Sequence, residues 1–169
     1  KTLGCPISTS ILLVKEGGNL LNSFSNKANY LYQTDNDEYN LGQTSFECGR
    51  RNNALKFWTL WKSLGTKGIS EMVDHSYSLA DTARKYIKNN SDYTIYSFDN
   101  SLSICFNYKD LDPKKLCTDL YLKNKLMVGY GEHKGETFIR LVTINRENTS
   151  ENILNFFKIL ESFTENNIE

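Results

Sequence analysis

The chain has 169 residues, with 20 basic and 20 acidic side chains and no formal net charge. That balance lacks the positive surplus on which general nucleic-acid binding and polybasic membrane attachment depend, while 39% hydrophobic and 12% aromatic residues supply a core that a disordered chain would not have. The longest apolar run, Ile11-Leu12-Leu13-Val14, is too short to cross a bilayer, so neither a nucleic acid nor a membrane is expected as a partner. No signal-peptide pattern opens the sequence. The four cysteines, Cys5, Cys48, Cys105 and Cys117, form no CxxC pair and read as reduced thiols of a cytoplasmic protein rather than a disulfide frame or a zinc site. The first residue is Lys1, not a methionine, which predicts a processed product or a fragment whose fold starts further upstream.

In chain order, Ser8 to Lys15 is a β-branched and aliphatic run closed by Glu16-Gly17-Gly18, the pattern of a buried strand ending in a turn. Asn19 to Phe24 suits a short helix. From Ser25 to Glu47 the chain turns polar around Tyr30, Tyr32 and Tyr39, with no period of 2 or 3.6. A structureless stretch of that length is functional or disordered. Ala54, Leu55, Phe57, Trp58, Trp61 and Leu64 then repeat at helical spacing up to Gly65, and a second helix is predicted from about Ile69 to Ile87.

Beyond Asn89-Asn90-Ser91, two alternating segments, Tyr93–Phe98 and Leu102–Tyr108, predict strands joined by Asp99-Asn100-Ser101. Asp112-Pro113 is an N-cap and first-turn pair for a helix to about Lys125. Strands follow at about Met127–Tyr130 and Thr137–Ile144 around a turn at Gly131–Gly135. Asn148 or Thr149 caps a last helix carrying Ile153, Phe156, Phe157, Leu160 and Phe163. The second half therefore reads as β-β-α-β-β-α, a small antiparallel α+β unit with helices on one face. The first half has two amphipathic helices and no sheet to cover, which points to a larger missing portion.

Three features exceed the background. Arg140 lies in the apolar run Phe138–Ile144, where a guanidinium is expected to be partly buried and in need of an anion. Its planar fork suits a carboxylate held by two parallel hydrogen bonds, and an internal salt bridge is the competing reading. Tyr30, in the polar segment, can deliver a proton when a loop closes over a site, or merely anchor the loop. Cys48-Gly49-Arg50-Arg51 precedes the Trp-rich helix, where a glycine permits close approach of a ligand; an ordinary loop-to-helix junction has the same pattern. His75 and His133 show no metal-ligand spacing and read as structural or solvated.

Together these segments resemble the C-terminal part of the group II pyridoxal-phosphate (PLP) decarboxylases, the family of the glutamate, cysteine sulfinate, aspartate, diaminobutyrate and aromatic amino acid decarboxylases. The most specific stretch is Cys48-Gly49-Arg50-Arg51 through Leu55-Lys56-Phe57-Trp58, then Trp61-Lys62 and Gly65-Thr66-Lys67-Gly68. Ser10–Lys15 looks like the strand after the cofactor lysine, Asn29–Gln33 like the start of the catalytic loop, and Phe138-Ile139-Arg140 like the strand of the substrate arginine.

The resemblance implies an α/β fold, the aspartate aminotransferase-like fold type I of PLP-dependent enzymes. Residues 1–90 would be the end of the large PLP-binding domain, and residues 91–169 the small α+β C-terminal domain. It further implies that Lys1 is the Schiff-base lysine, a deprotonated amine that condenses with the cofactor aldehyde. PLP would serve as electron sink for loss of CO₂, and Arg140 would grip the α-carboxylate of a small amino acid substrate. Tyr30, reaching over from the neighbouring subunit of a homodimer, would protonate Cα, and Gly49 would form part of the pocket wall. The segment between Gln33 and Cys48 is a few residues shorter than in animal glutamate decarboxylases, so loop closure and substrate fit are expected to differ. The remaining cofactor ligands belong to the N-terminal part of the same enzyme, the implied partner of this chain. The competing readings are a non-catalytic fragment or pseudoenzyme, and a PLP aldehyde synthase of the same fold, which tends to lack the loop tyrosine.

Overall fold

The computed structural model describes residues 2–6, 9–24 and 51–166. Contacts divide the chain into two compact units, one made mainly of Leu64–Glu169 and the other of Cys5–Ser63.

In the Cys5–Ser63 unit, helix α1 spans Gly17–Phe24, close to the expected short helix. Helix α2 runs over Asn53–Lys88 and begins in this unit. Here the Phe57 and Trp61 rings meet edge-on at 5.3 Å between centroids, one helical turn apart. The residues before α1 differ from expectation. Residues 9–14 form no strand, and Leu12 and Leu13 are 74% and 89% exposed. An extended segment becomes a strand only by pairing its backbone, and no described strand pairs with this one.

Within α2 the helical dihedrals are broken at Gly65, with φ 67° and ψ 176°. That conformation is open to glycine and costly for a residue with a Cβ, so the two helices read from the sequence meet at the glycine expected to end the first. From Leu64 onward α2 belongs to the second unit. It buries Ser76, Leu79, Ala80, Ala83, Arg84 and Ile87, an i, i+3, i+4 stripe.

This unit holds a four-stranded antiparallel sheet in the order β1-β2-β4-β3, formed by β1 Tyr93–Ile95, β2 Ser103–Tyr108, β3 Gly129–His133 and β4 Glu136–Val142. Helix α3, Pro113–Leu122, starts where the Asp112 side chain accepts from the Lys114 N–H and Pro113 supplies the first turn. Helix α4, Ser150–Glu165, opens with a capping box in which Thr149 and Asn152 each accept the other's backbone N–H.

Alternation along β2 sends Ile104, Phe106 and Tyr108 into one apolar cluster. They join Leu79 and Ile87 of α2, Leu116 and Leu120 of α3, Ile139 of β4, and Phe157 and Leu160 of α4. The three helices thus lie on one face of the sheet, as the alternation implies. The cluster is aromatic-rich: Tyr86 stacks on Phe157 at 4.4 Å, and Tyr93 meets Phe157 edge-on at 5.5 Å.

Several boundaries shift from expectation: β3 starts at Gly129, not Met127, β4 ends at Val142, not Ile144, and α3 ends at Leu122, short of Lys125. β1 ends at Ile95, not Phe98, because the N–H groups of both Tyr96 and Ser97 turn to the Cys105 carbonyl, at 2.8 and 3.4 Å. Two residues then face one, the signature of a bulge. β3 runs on to His133, and the turn is the two-residue Lys134-Gly135, with φ of 53° and 83°. Positive φ at both central positions matches the right-handed twist of a hairpin. Gly131 is therefore a strand residue, and a Cβ there would sit 3.0 Å from Cε2 of Phe138.

Several polar groups inside the unit are tied down, while Oγ of Ser97 and Oδ1 of Asn107 are buried without a hydrogen-bond partner. Thr143, fully buried, has its hydroxyl 3.2 Å from the carbonyls of Ser76 and Leu102. Arg84, 4% exposed, donates through Nη1 to the Ser101 carbonyl and through Nη2 to Asp81, both at 2.7 Å. Oε1 of Glu161 accepts from the hydroxyls of Tyr86 and Tyr93, each at 2.8 Å, which binds α4 to α2 and β1.

Candidate functional site

Side chains alternate across β4: Ile139 is 1% exposed, and Arg140 beside it stands on the opposite face of the sheet, away from the core cluster. There Arg140 is exposed, not partly buried as expected. The apolar neighbours Ile139 and Leu141 leave by the other face. Nη2 of Arg140 donates to Oγ of Ser103 at 3.2 Å. Among the described residues no Asp or Glu forms an ion pair with Arg140, so the competing internal salt bridge is not formed there.

The surroundings of this guanidinium follow from sheet register. Across β2 the residue opposite Arg140 is Cys105, and across β3 it is Gly129. Burial pushes the Cys105 thiol up, and the nearby Arg140 charge pulls it down. A Cβ on Gly129 would meet nothing within 4 Å, so bare backbone with open space lies beside Arg140. Pairing of β3 with β4 stops at Gly129↔Arg140. Beyond it the chain diverges, leaving a cleft of about 390 Å³ that reaches toward α4 and is bordered by Gly129, Arg140, Leu141, Asn152, Ile153 and Phe156.

The chemistry available here is recognition of an anion. A guanidinium that pairs with no carboxylate among the described residues offers two parallel donors to a substrate carboxylate. Bare backbone beside the guanidinium leaves room for the ligand. No group of three or more metal-ligating side chains occurs among the described residues. His75 is structural, with Nε2 2.9 Å from the Asn148 carbonyl.

Three of the four residues singled out from sequence, Lys1, Tyr30 and Gly49, lie outside the described residues, as do Cys48 and Arg50. Arg140 is the one that the structure places. Sequence reasoning passed over Ser103 and Gly129. The period-2 pattern of β2 already sets Ser103 on the face opposite Ile104 and Phe106, and that was the available signal for Ser103. For Gly129 the signal depended on the register of β3, which the displaced turn hid.

An exposed guanidinium beside a bare glycine backbone, on the face of a small antiparallel sheet, is thus the feature that the geometry defines. Residues 1–109 match the pyridoxal-dependent decarboxylase conserved domain, and the chain belongs to that family. It is 31% identical to acidic amino acid decarboxylase GADL1 of Mus musculus over 90% of this chain and 32% of that protein. The Homo sapiens counterpart is likewise 31% identical, with 34% of its length matched. The chain therefore spans about a third of the length of these relatives.

Among solved structures it resembles Catharanthus roseus tryptophan decarboxylase in complex with L-tryptophan, with TM-score 0.69 and 17% identity over 90% of this chain and 32% of that one. Mouse CSAD gives TM-score 0.62 and 23% identity over 72% of this chain and 29% of that one. At such identities the likeness establishes the fold, which is the type I fold of PLP-dependent decarboxylases implied by the resemblance.

Proposed function

We propose that the protein to which this sequence belongs is a PLP-dependent decarboxylase that converts an L-amino acid to its amine and CO₂. Residues 1–90 would complete the large domain and 91–169 form the small one. The observation that carries this reading is Arg140: an exposed guanidinium with no carboxylate partner among the described residues, beside the bare backbone of Gly129, in a chain of the decarboxylase family. When bound, PLP supplies the electron sink that makes loss of CO₂ from Cα feasible.

The described residues fit an amino acid presented to such a cofactor, since the guanidinium is exposed and a Cβ on the neighbouring Gly129 would meet nothing within 4 Å. In this reading Arg140 binds and orients the α-carboxylate, which spends binding energy on alignment of the bond to be cleaved. The Lys1 amine would hold the cofactor. Tyr30 would keep a proton and return it to Cα after CO₂ leaves, and Gly49 would leave room in the pocket wall. A homodimer with active sites at the subunit interface, an N-terminal portion supplying the other cofactor contacts and a cytoplasmic location complete the proposal. The names of the sequence relatives favour an acidic side chain in the substrate.

The test is CO₂ release by the complete polypeptide, loaded with PLP, across a panel of acidic, sulfinic, basic and aromatic amino acids. Release with at least one substrate, abolished by Lys1→Ala, is expected. Release from none, or full activity in Lys1→Ala, would overturn the proposal.

A further inference from the structure

The Arg140 guanidinium is long and flexible, and on an open face nothing in its own strand holds it. Four hydrogen bonds nevertheless connect it to the interior. Nη2 of Arg140 donates to Oγ of Ser103 at 3.2 Å. The Ser103 backbone is itself gripped at both ends by one side chain, for Oγ of Ser101 donates to the Ser103 carbonyl at 2.8 Å and accepts the Ser103 N–H at 3.1 Å. The Ser101 carbonyl in turn accepts from Nη1 of Arg84 at 2.7 Å, and Arg84 is 4% exposed. A buried arginine of α2 is thus linked, through the entry of β2, to the exposed arginine of β4.

We propose that Ser103 is a positioning residue for substrate recognition: its hydroxyl, carried on a backbone held by Ser101 and through it by Arg84, holds the Arg140 guanidinium so that its remaining donors face the substrate α-carboxylate over Gly129. This rests on the carboxylate-binding role given to Arg140 above. Register supports the geometry. Ser103 pairs with Val142 and Cys105 with Arg140, so Ser103 is the diagonal neighbour of Arg140 on one face, within reach of a long side chain. Fixing the fork in advance lowers the ordering cost of binding. The hydroxyl oxygen accepts from Arg140 and has no negative charge, so the guanidinium stays available to an anion in a way that an Asp at position 103 would not allow.

The test compares Ser103→Ala, Ser103→Thr and Arg140→Ala in the complete PLP-loaded polypeptide. Two readouts are used: KM and kcat for the best substrate, and the calorimetric Kd of its analogue lacking the α-amino group, a carboxylate that binds without reacting. Ser103→Ala is expected to raise both KM and this Kd about fivefold, with kcat and Tm near wild type. Ser103→Thr, which keeps the hydroxyl, is expected to restore both. Unchanged KM and Kd in Ser103→Ala, while Arg140→Ala loses binding, would overturn the role of Ser103 and leave that of Arg140 intact. Wild-type binding in Arg140→Ala would overturn both. A fall in Tm matching the loss of binding in Ser103→Ala, uncorrected in Ser103→Thr, would show that the residue supports the fold and not the grip.

Discussion

Arg140 and Cys105 stand directly opposite each other in the β2–β4 pair, a cation across from a half-buried thiol. Burial raises the thiol pKa and the guanidinium lowers it, so the two effects compete at one site. Arg140→Ala removes the lowering influence and leaves the raising one. The Cys105 thiolate fraction at pH 8 should fall, and alkylation of the Cys105 peptide by iodoacetamide, followed by mass spectrometry, should slow. Faster labelling of Cys105 in the variant would contradict this, unless the lost side chain had merely uncovered the thiol; Arg140→Gln, closer in length, separates the two.

The Tyr86 and Tyr93 hydroxyls share Oε1 of Glu161. Desolvation first, then the hydrogen bond to Glu161, push the Tyr86 pKa up from 10.0 to about 12, and the same causes raise Tyr93 further. A tyrosine held neutral in the folded state keeps its proton more tightly there than in the unfolded chain. Its stabilisation is therefore complete below pH 10 and is lost as pH rises through the folded value. Thermal melts between pH 9 and 12 should show falling Tm, with a shallower fall in Tyr86→Phe. Glu161→Ala, which leaves two hydroxyls without their acceptor, should cost about 1–3 kcal/mol at neutral pH.

Two glycines of β3 sit on the open face for different reasons. At Gly131 a Cβ would be 3.0 Å from the Phe138 ring, so Gly131→Ala should displace that ring and destabilise the unit by about 1 kcal/mol. At Gly129 a Cβ meets nothing. Gly129→Val should leave Tm unchanged but fill the space next to Arg140 and raise KM for the amino acid. Equal effects of both substitutions on Tm would remove the distinction.

The hydrophobic period carried most of the small unit. Ile104, Phe106 and Tyr108 face the core as their alternation requires, and Ile153, Phe157 and Leu160 as theirs does. Turn position was harder to read, because Gly131 and Gly135 are both glycine and only the pairing Glu132↔Thr137 tells which one turns the chain. The run Ile11–Val14 has strand composition but no strand partner among the described residues, and pairing is not written in composition. Arg140 was assigned to a strand correctly and to the wrong degree of burial, since an apolar run looks uniform until alternation is applied to it. The roles of Lys1, Tyr30 and Gly49 came from family resemblance; their residue types alone left each of them open.

The account depends on Arg140 acting as the grip for an amino acid carboxylate. The most direct test is kcat/KM for CO₂ release by the complete PLP-loaded polypeptide with Arg140→Ala, measured beside wild type on the best substrate. Loss of a charge-assisted, two-donor contact predicts a fall of about a hundredfold, with Tm retained because the side chain is exposed and outside the core. A variant that releases CO₂ with wild-type kcat/KM would contradict it.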